Sequence, residues 1–322
     1  MSLNLVPAVG VVLERILDDT YQLWHDGLSR ESYDRFWAAQ LKTPWGAAHL
    51  DRVALQDGPH VVASAKRYDL AFTIDGRARR VLGLGAVFTT PAYRGRGAVR
   101  ELLTRVMETA EAEGYEFAAL FSDIAPAFYE RLEFVPVPLN QCRLGVDLKN
   151  GRPPATLVRA GDDRDLPSIA EMSATRAARA RLSVARSEDY IRFGITRARL
   201  LAGLSPPGLR QVEFFVAEEG HQAAAYLVCV SNQGIWTIED AGDRDPTGAR
   251  VGAMLQVMLA RQPGETLPLI RGWFPHSLQP PQVTITTTPT QEVLMIRPLK
   301  DRTLPLPPLS AEQVGYWRLD YF

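Results

Sequence analysis

The chain has 322 residues, 46% of them apolar and 23% charged, which is material for two domains of ordinary size. Its formal net charge of −1 gives no general attraction to nucleic acid or to an anionic membrane, so neither is expected as a partner. No run of about eighteen apolar residues occurs, and the start of the chain lacks a basic then apolar leader, so a cytoplasmic protein is expected.

Val12, Leu13, Ile16, Leu17, Tyr21 and Trp24 recur at helical spacing within Val11 to Trp24. Ser32 to Leu41 predicts a second helix, broken by Lys42-Thr43-Pro44. Strands are predicted over His49 to Leu55, His60 to Thr73 and Arg80 to Phe88, with Asp57-Gly58 and Asp75-Gly76 as hairpin turns. A turn rich in glycine and arginine follows, Thr89 to Gly97, and then an amphipathic helix over Val99 to Glu113 with Gly114 as its C′ residue. Phe117 to Phe121 predicts a buried strand running parallel to Arg80–Phe88 through the helical crossover. A short helix opens at Ala125 or Pro126, and Val135 to Leu148 supplies a last strand or pair.

A strand that enters a tight Gly/Arg turn and leaves as a helix is a geometry for holding a diphosphate. The free N–H groups of the first helical turn point outward, and the helix dipole favours negative charge there. Gly95 and Gly97 allow close backbone approach, and Arg94, Arg96 and Arg100 can add charge-assisted hydrogen bonds. An ordinary solvated turn or an RNA-binding RGG tract would be the alternatives, but the motif occurs once and outside any low-complexity context.

Asn150-Gly151-Arg152-Pro153-Pro154 reads as a linker, dividing the chain into 1–150 and 151–322. The second part restarts the pattern. It has a strand at Leu157-Val158-Arg159, helices over Asp162 to Met172 and Ser187 to Leu201, and strands over Phe214 to Ala217, Ala223 to Cys229 and Gly234 to Asp240. A helix over Thr247 to Ala260 follows. The turn before that helix, Ala241 to Pro246, carries acidic residues that would repel a diphosphate, so this half is expected to hold no cofactor. The proline-rich run Leu304 to Leu309 is stiff, and the aromatic end Gly315 to Phe322 is expected to dock. Cys142 and Cys229 read as reduced core residues.

Pro91, Tyr93, Arg94, Gly95 and Gly97, followed by Phe128, Tyr129 and Phe134, resemble the two signatures of the GCN5-related N-acetyltransferase (GNAT) superfamily. Those signatures are the loop Q/R-x-x-G-x-G/A and the helix F-Y-x-x-x-G-F. Val99 stands where the loop's last small residue is expected, and Glu133 where the helix ends in glycine. The resemblance implies an α/β GNAT fold, a mixed central sheet flanked by helices, over 1–150. Over 151–322 it implies a degenerate GNAT-like domain. It implies acetyl-CoA as cosubstrate, no metal, and a primary amine of a small molecule as acceptor. The cosubstrate would be held by Ala86, Val87, Phe88, Thr89, Arg94, Gly95, Arg96, Gly97, Ala98, Val99, Ser122 and Phe128.

Acetyl transfer needs an oriented thioester, a neutral amine and a proton for the leaving thiolate. Tyr129 matches the family's tyrosine that protonates the thiolate. The base stays open between Asp123, Asp320, the terminal carboxylate of Phe322 and water, because Arg80–Phe88 contains no carboxylate. The last two residues of that set enter by likeness to the enhanced-intracellular-survival acetyltransferases. The layout also resembles fungal lysine N6-acetyltransferases, which makes a free amino acid such as lysine a plausible acceptor, met by Glu239, Asp240 and Asp243. The aromatic-rich first helices read as packing onto the sheet, and the resemblance offers a lid over the acceptor pocket as the other reading. Trp273-Phe274-Pro275-His276 reads as a packed turn first and a pocket wall second, and the histidines show no metal-ligand spacing. A non-catalytic acyl-CoA-binding sensor is the alternative function, motivated by Val99 and the empty base position.

Overall fold

The computed structural model describes residues 3–148, 157–262, 266–300 and 308–322. Strand β1 (Leu3–Pro7) precedes three helices, α1 (Gly10–Trp24), α2 (Arg30–Gln40) and α3 (Pro44–His49). The Ser29 hydroxyl accepts from the Ser32 N–H to cap α2, and the Thr43 hydroxyl accepts from the Gly46 N–H to cap α3. Pro44 therefore opens a helix as well as following one, since a first helical position has no use for an N–H. Sequence periodicity anticipates α1 and α2 and misses β1 and α3, both too short to show a period.

Strands β2 (Leu50–Asp57), β3 (His60–Ile74) and β4 (Arg77–Thr89) form the expected antiparallel meander. Helix α4 (Ala98–Ala112) buries Leu102, Leu103, Val106, Met107 and Ala110 against one face of it. Strand β5 (Phe117–Ser122) returns parallel to β4, and α5 (Ala127–Glu130), β6 (Val135–Val137) and β7 (Asn140–Val146) follow. After the second-half start come β8 (Leu157–Ala160), α6 (Leu166–Ala177), β9 (Leu182–Val184) and α7 (Glu188–Leu204). Then come β10 (Arg210–Glu219), β11 (Gln222–Asn232), β12 (Ile235–Asp243), α8 (Ala249–Ala260) and β13 (Leu269–Gly272). The chain closes with β14 (Val283–Pro289), β15 (Val293–Pro298) and β16 (Val314–Gly315).

These strands make two mixed sheets flanked by helices, as expected for the α/β class. One runs β1-β2-β3-β4-β5-β15-β6 and the other β14-β7-β13-β12-β11-β10-β8. Strands cross the division at residue 150. β7 pairs with β13 and β14 in the second sheet, while β15 lies between β5 and β6 in the first, and β9 pairs with β3. The stretch Val135 to Leu148 thus gives one strand to each sheet. Which sheet a short strand joins depends on long-range pairing, which local pattern does not encode. The linker Asn150 to Pro154 and the run Leu304 to Pro307 lie outside the described residues.

Cys142 and Cys229 are buried and unbonded. Among the described residues no helix is long and apolar enough to cross a membrane.

Candidate active site

β4 and β5 pair only from Val81↔Phe117 to Leu84↔Leu120. Beyond that point β4 stays with β3, and β5 stays with β15 through Ser122↔Val293, so the two parallel strands part. The register of β3 and β4 also slips: Lys66 faces Gly85, whereas Ser64 faces Phe88, leaving one extra residue on β4. Ala86 sits in that bulge with φ 45. A bulge takes backbone groups out of the ladder and aims them elsewhere, here into the gap between Gly85–Thr89 and Phe121–Ser122.

The chain then makes a short 3-10 turn at Pro91–Tyr93 and enters α4 through Gly97, whose φ of 80 only glycine adopts at low cost. Nothing lies within 4 Å of a Cβ built at Gly95 or Gly97, so the turn presents bare backbone to open space. The first N–H groups of α4 have no helical partner and face that surface. Arg94 donates to the Thr89 carbonyl at 3.3 Å and Arg96 lies 5.9 Å from the Tyr93 ring centroid. Among the described residues neither they nor Arg100 have a carboxylate partner. A groove of about 250 Å³ continues between Gly97, Arg100, Phe128, Arg131 and Leu132. Free N–H donors, unpaired guanidiniums and room make this a fit for the diphosphate of an acyl-CoA. Ala98 is buried beneath the turn and Val99 half-buried beside the core, so neither departs from the fit by blocking the surface.

Ser122 is buried, and its hydroxyl donates to the Ile124 carbonyl at 2.9 Å, closing the turn that presents Asp123 to solvent. Tyr129 is buried on α5 between Phe128 and Phe134, with ring centroids 5.0 and 6.1 Å away. Burial, and then the Asp123 charge, push its phenol up to about 12. Glu133, at the position where the family signature has glycine, adopts φ 63 and pairs with Arg297 at 2.8 Å.

On the face of β4 away from α4 a cavity of about 600 Å³ opens between α1, α2, β3, α7, β12 and the end of the chain. Trp24, Phe36, Tyr68 and Tyr321 contribute apolar walls. Phe322 lies along β4: its carbonyl carbon is 3.3 Å from a Cβ built at Gly85, and its ring is 3.1 Å from one built at Gly83. A side chain at either glycine would crowd Phe322 and force it to shift.

The structure separates the acids named from sequence. Asp123 stands beside Tyr129, and Phe322 lines the cavity. Asp320 is buried and bound by the Arg186 guanidinium, so it does not reach the site. Of Glu239, Asp240 and Asp243, only Glu239 lines the cavity. Asp240 is held by Arg186 and Tyr226, and Asp243 by Arg250, so the expectation that these two meet a substrate is corrected. Their short side chains point to the interior because β12 is buried on both faces. Trp273 and Phe274 pack against Phe121 and Trp317, as a packed turn should. Sequence reading missed Lys66, Arg197, Arg210, Arg271 and Arg318, which converge on the cavity from five separate elements. The one available signal was Lys66 on the inward phase of β3, between Ser64 and Tyr68.

In the second half the corresponding turn is filled from within. Gly248 caps α8 with φ 75, as Gly97 caps α4. Here the Asp243 carboxylate accepts from the Asp245 N–H at 2.9 Å and the Arg250 N–H at 2.8 Å. A Cβ at Gly248 would be 2.5 Å from Leu278, and one at Gly252 2.1 Å from Gln282. A carboxylate of the chain itself takes the place that a phosphate takes on an open helix start, and these residues do not fit a second acyl-CoA.

Residues 14–137 match the family model of the acetyltransferase (GNAT) domain. No curated protein matches the chain. Among solved structures, a GCN5-related N-acetyltransferase from Kribbella flavida is 18% identical over 93% of this chain and 71% of its own, with a TM-score of 0.66. One from Anabaena variabilis ATCC 29413 is 11% identical over 93% and 73%, with a TM-score of 0.70. Eis1 from Mycobacterium abscessus is 15% identical over 92% and 73%, with a TM-score of 0.56. At such identities the likeness is one of fold. Residues 14–137 thus carry the likeness to a GNAT acetyltransferase domain, the domain of an acyltransferase.

Proposed function

We propose that the protein transfers an acetyl group from acetyl-CoA to a primary amine of a small molecule, such as a free amino acid, by direct attack in a ternary complex. The observation that carries this is the divergence of β4 from β5 at the Ala86 bulge, between an open Gly/Arg turn and a buried tyrosine. The diphosphate rests on the Gly95–Arg100 surface, and the pantetheine runs through the gap along Ala86 to Thr89. The acceptor enters from the opposite cavity. The amine nitrogen attacks the thioester carbon, a C–N bond forms and the C–S bond breaks. The Tyr129 hydroxyl gives its proton to the departing thiolate. Its raised pKa keeps it protonated at every physiological pH. The amine proton leaves on the cavity side, to Phe322 or to solvent, while Asp123 serves Tyr129 by holding it in the acid form.

Thiol release from acetyl-CoA against free amino acids, polyamines, aminoglycosides and peptides tests the reading, with CoA binding followed by calorimetry. Turnover on one class supports it. Tight CoA binding with no turnover on any class would favour an acyl-CoA sensor. Gly97→Val should weaken CoA binding at least tenfold, because a β-branched residue at φ 80 is strained and covers the bare amides. Unchanged CoA binding in that variant would remove the turn from the site.

A further inference from the structure

The cavity that admits the acceptor is charged in one sense. Lys66, Arg197, Arg210, Arg271 and Arg318 line it, five cations against the acidic side chains of Asp26 and Glu239 and the carboxylate of Phe322. None of the arginines makes a close ion pair with those acids; Arg318, Arg197 and Arg210 act on Glu239 only at longer range. Arg197 donates to the Leu319 carbonyl at 3.2 Å, Arg210 to the Asp26 carbonyl at 3.5 Å and Arg271 to the Thr237 hydroxyl at 3.4 Å. Among the described residues none of these three has a carboxylate within ion-pair distance. Arg318 alone has one, Glu292 at 3.5 Å, while stacking over Trp273 and Tyr321.

A second observation lies behind the cavity wall, next to Lys66. Arg52, directly across from Lys66 on the neighbouring strand, is only 3% exposed, and its Nε and Nη1 have no hydrogen-bond partner. Both cations lie over the Trp37 ring, at 4.9 and 5.2 Å from its centroid. Burial and the charges of Arg52 and Arg197 depress the Lys66 pKa to about 7. Like charges crowded round a partly enclosed space are stabilised by an anion that enters it, and guanidiniums bind oxyanions in paired hydrogen bonds.

We propose that the acceptor amine also carries an anionic group, a carboxylate or a phosphate, and that Arg197, Arg210, Arg271 and Arg318 receive it. Glu239 then marks the other end of the molecule. It is the extra residue where β11 and β12 slip register, Val228 facing Asp240 and Cys229 facing Ile238, which turns its carboxylate into the cavity. Amines with only positive charge, such as polyamines, meet four arginines and are poor acceptors. This inference rests on the acyltransferase reading for its chemistry, but the binding it predicts needs no turnover.

The test uses acceptor pairs that differ only in the anion: lysine and lysinamide, glutamate and its diamide, phosphoethanolamine and ethanolamine. Each is titrated into the CoA-loaded protein by calorimetry, and each is assayed for thiol release. The anionic member should bind at least tenfold tighter, with an advantage that shrinks as salt rises. Arg210→Gln combined with Arg271→Gln should erase most of that advantage and leave CoA affinity unchanged. Preference for phosphoethanolamine over the amino acids would identify phosphate as the anion. Equal or better binding of the uncharged members, or spermidine as the best acceptor, overturns the proposal. A protein that fails to bind CoA would refute the acyltransferase reading instead. The same titrations without CoA would still decide whether the cavity takes anions.

Discussion

Arg186 binds Asp320 through two hydrogen bonds in the protein interior, its Nε donating to Oδ1 at 2.8 Å, and so fixes the chain two residues before Phe322 meets Gly85. The same guanidinium donates to Asp240 on β12 at 2.8 Å. One buried cation therefore ties the second sheet to the segment that walls the cavity of about 600 Å³. Arg186 is 3% exposed and both carboxylates are at most 1% exposed at the side chain, so neither partner can turn to water.

Arg186→Met leaves two buried carboxylates without their cation. Breaking a buried pair from one side costs about 3–5 kcal/mol. The expected outcome in urea unfolding is a loss at or above that range. Any fraction that remains folded should show a raised KM for the acceptor with CoA affinity little changed, because the tail and not the Gly/Arg turn is released. A loss below about 1 kcal/mol would mean that the network contributes little.

Tyr129→Phe keeps the ring packed between Phe128 and Phe134 and removes only the hydroxyl. Loss of a general acid is expected to lower kcat by about 10²–10⁴, with CoA affinity unchanged. Because the phenol titrates at about 12, wild-type kcat should show no falling limb from this group below that pH. An active enzyme indifferent to this substitution would exclude Tyr129 as the acid.

The element order of the first half, the open Gly/Arg turn before α4 and the short helix that carries Tyr129 were legible because each is local: a period, a turn chemistry or a short motif. What was not legible is what long-range pairing decides. β7 and β15 exchange sheets, yet nothing in Asn140–Val146 or Val293–Pro298 says which neighbours they choose. The cavity arginines come from β10, α7, β13 and the tail, and no spacing links them. Asp240 and Asp243 looked like substrate contacts because their partners, Arg186 and Arg250, are invisible until the chain is folded. The departure at Glu133 was readable as a strained cap, and its φ of 63 shows that the residue accepts the strain.

That strain is testable. A non-glycine residue in the left-handed region costs about 1–2 kcal/mol, part of which glycine gives back as greater freedom of the unfolded chain. The pair of Glu133 with Arg297 is mostly exposed on the glutamate side and contributes little. Glu133→Gly should therefore change stability by between 0 and about +1 kcal/mol, read as a raised urea midpoint at constant m. A loss above about 1 kcal/mol would show that the ion pair outweighs the backbone term.

Lys66 makes stability depend on pH. In the folded chain its pKa is lowered from 10.5 to about 7, first by burial and then by Arg52 and Arg197. Between those two values the unfolded chain holds a proton that the folded chain does not, so stability falls as pH drops from 10.5 toward 7 and stays low beneath it. Lys66→Met removes the effect. The variant should equal the wild type near the upper limit and exceed it at neutral pH. The side chain keeps some exposure, which trims the full linkage value to an expected gain of about 2–4 kcal/mol. Adding a bound carboxylate or phosphate ligand should narrow the gap, because an anion in the cavity lets Lys66 stay charged. Parallel urea midpoints for the two proteins across this pH range would refute the buried, uncompensated lysine.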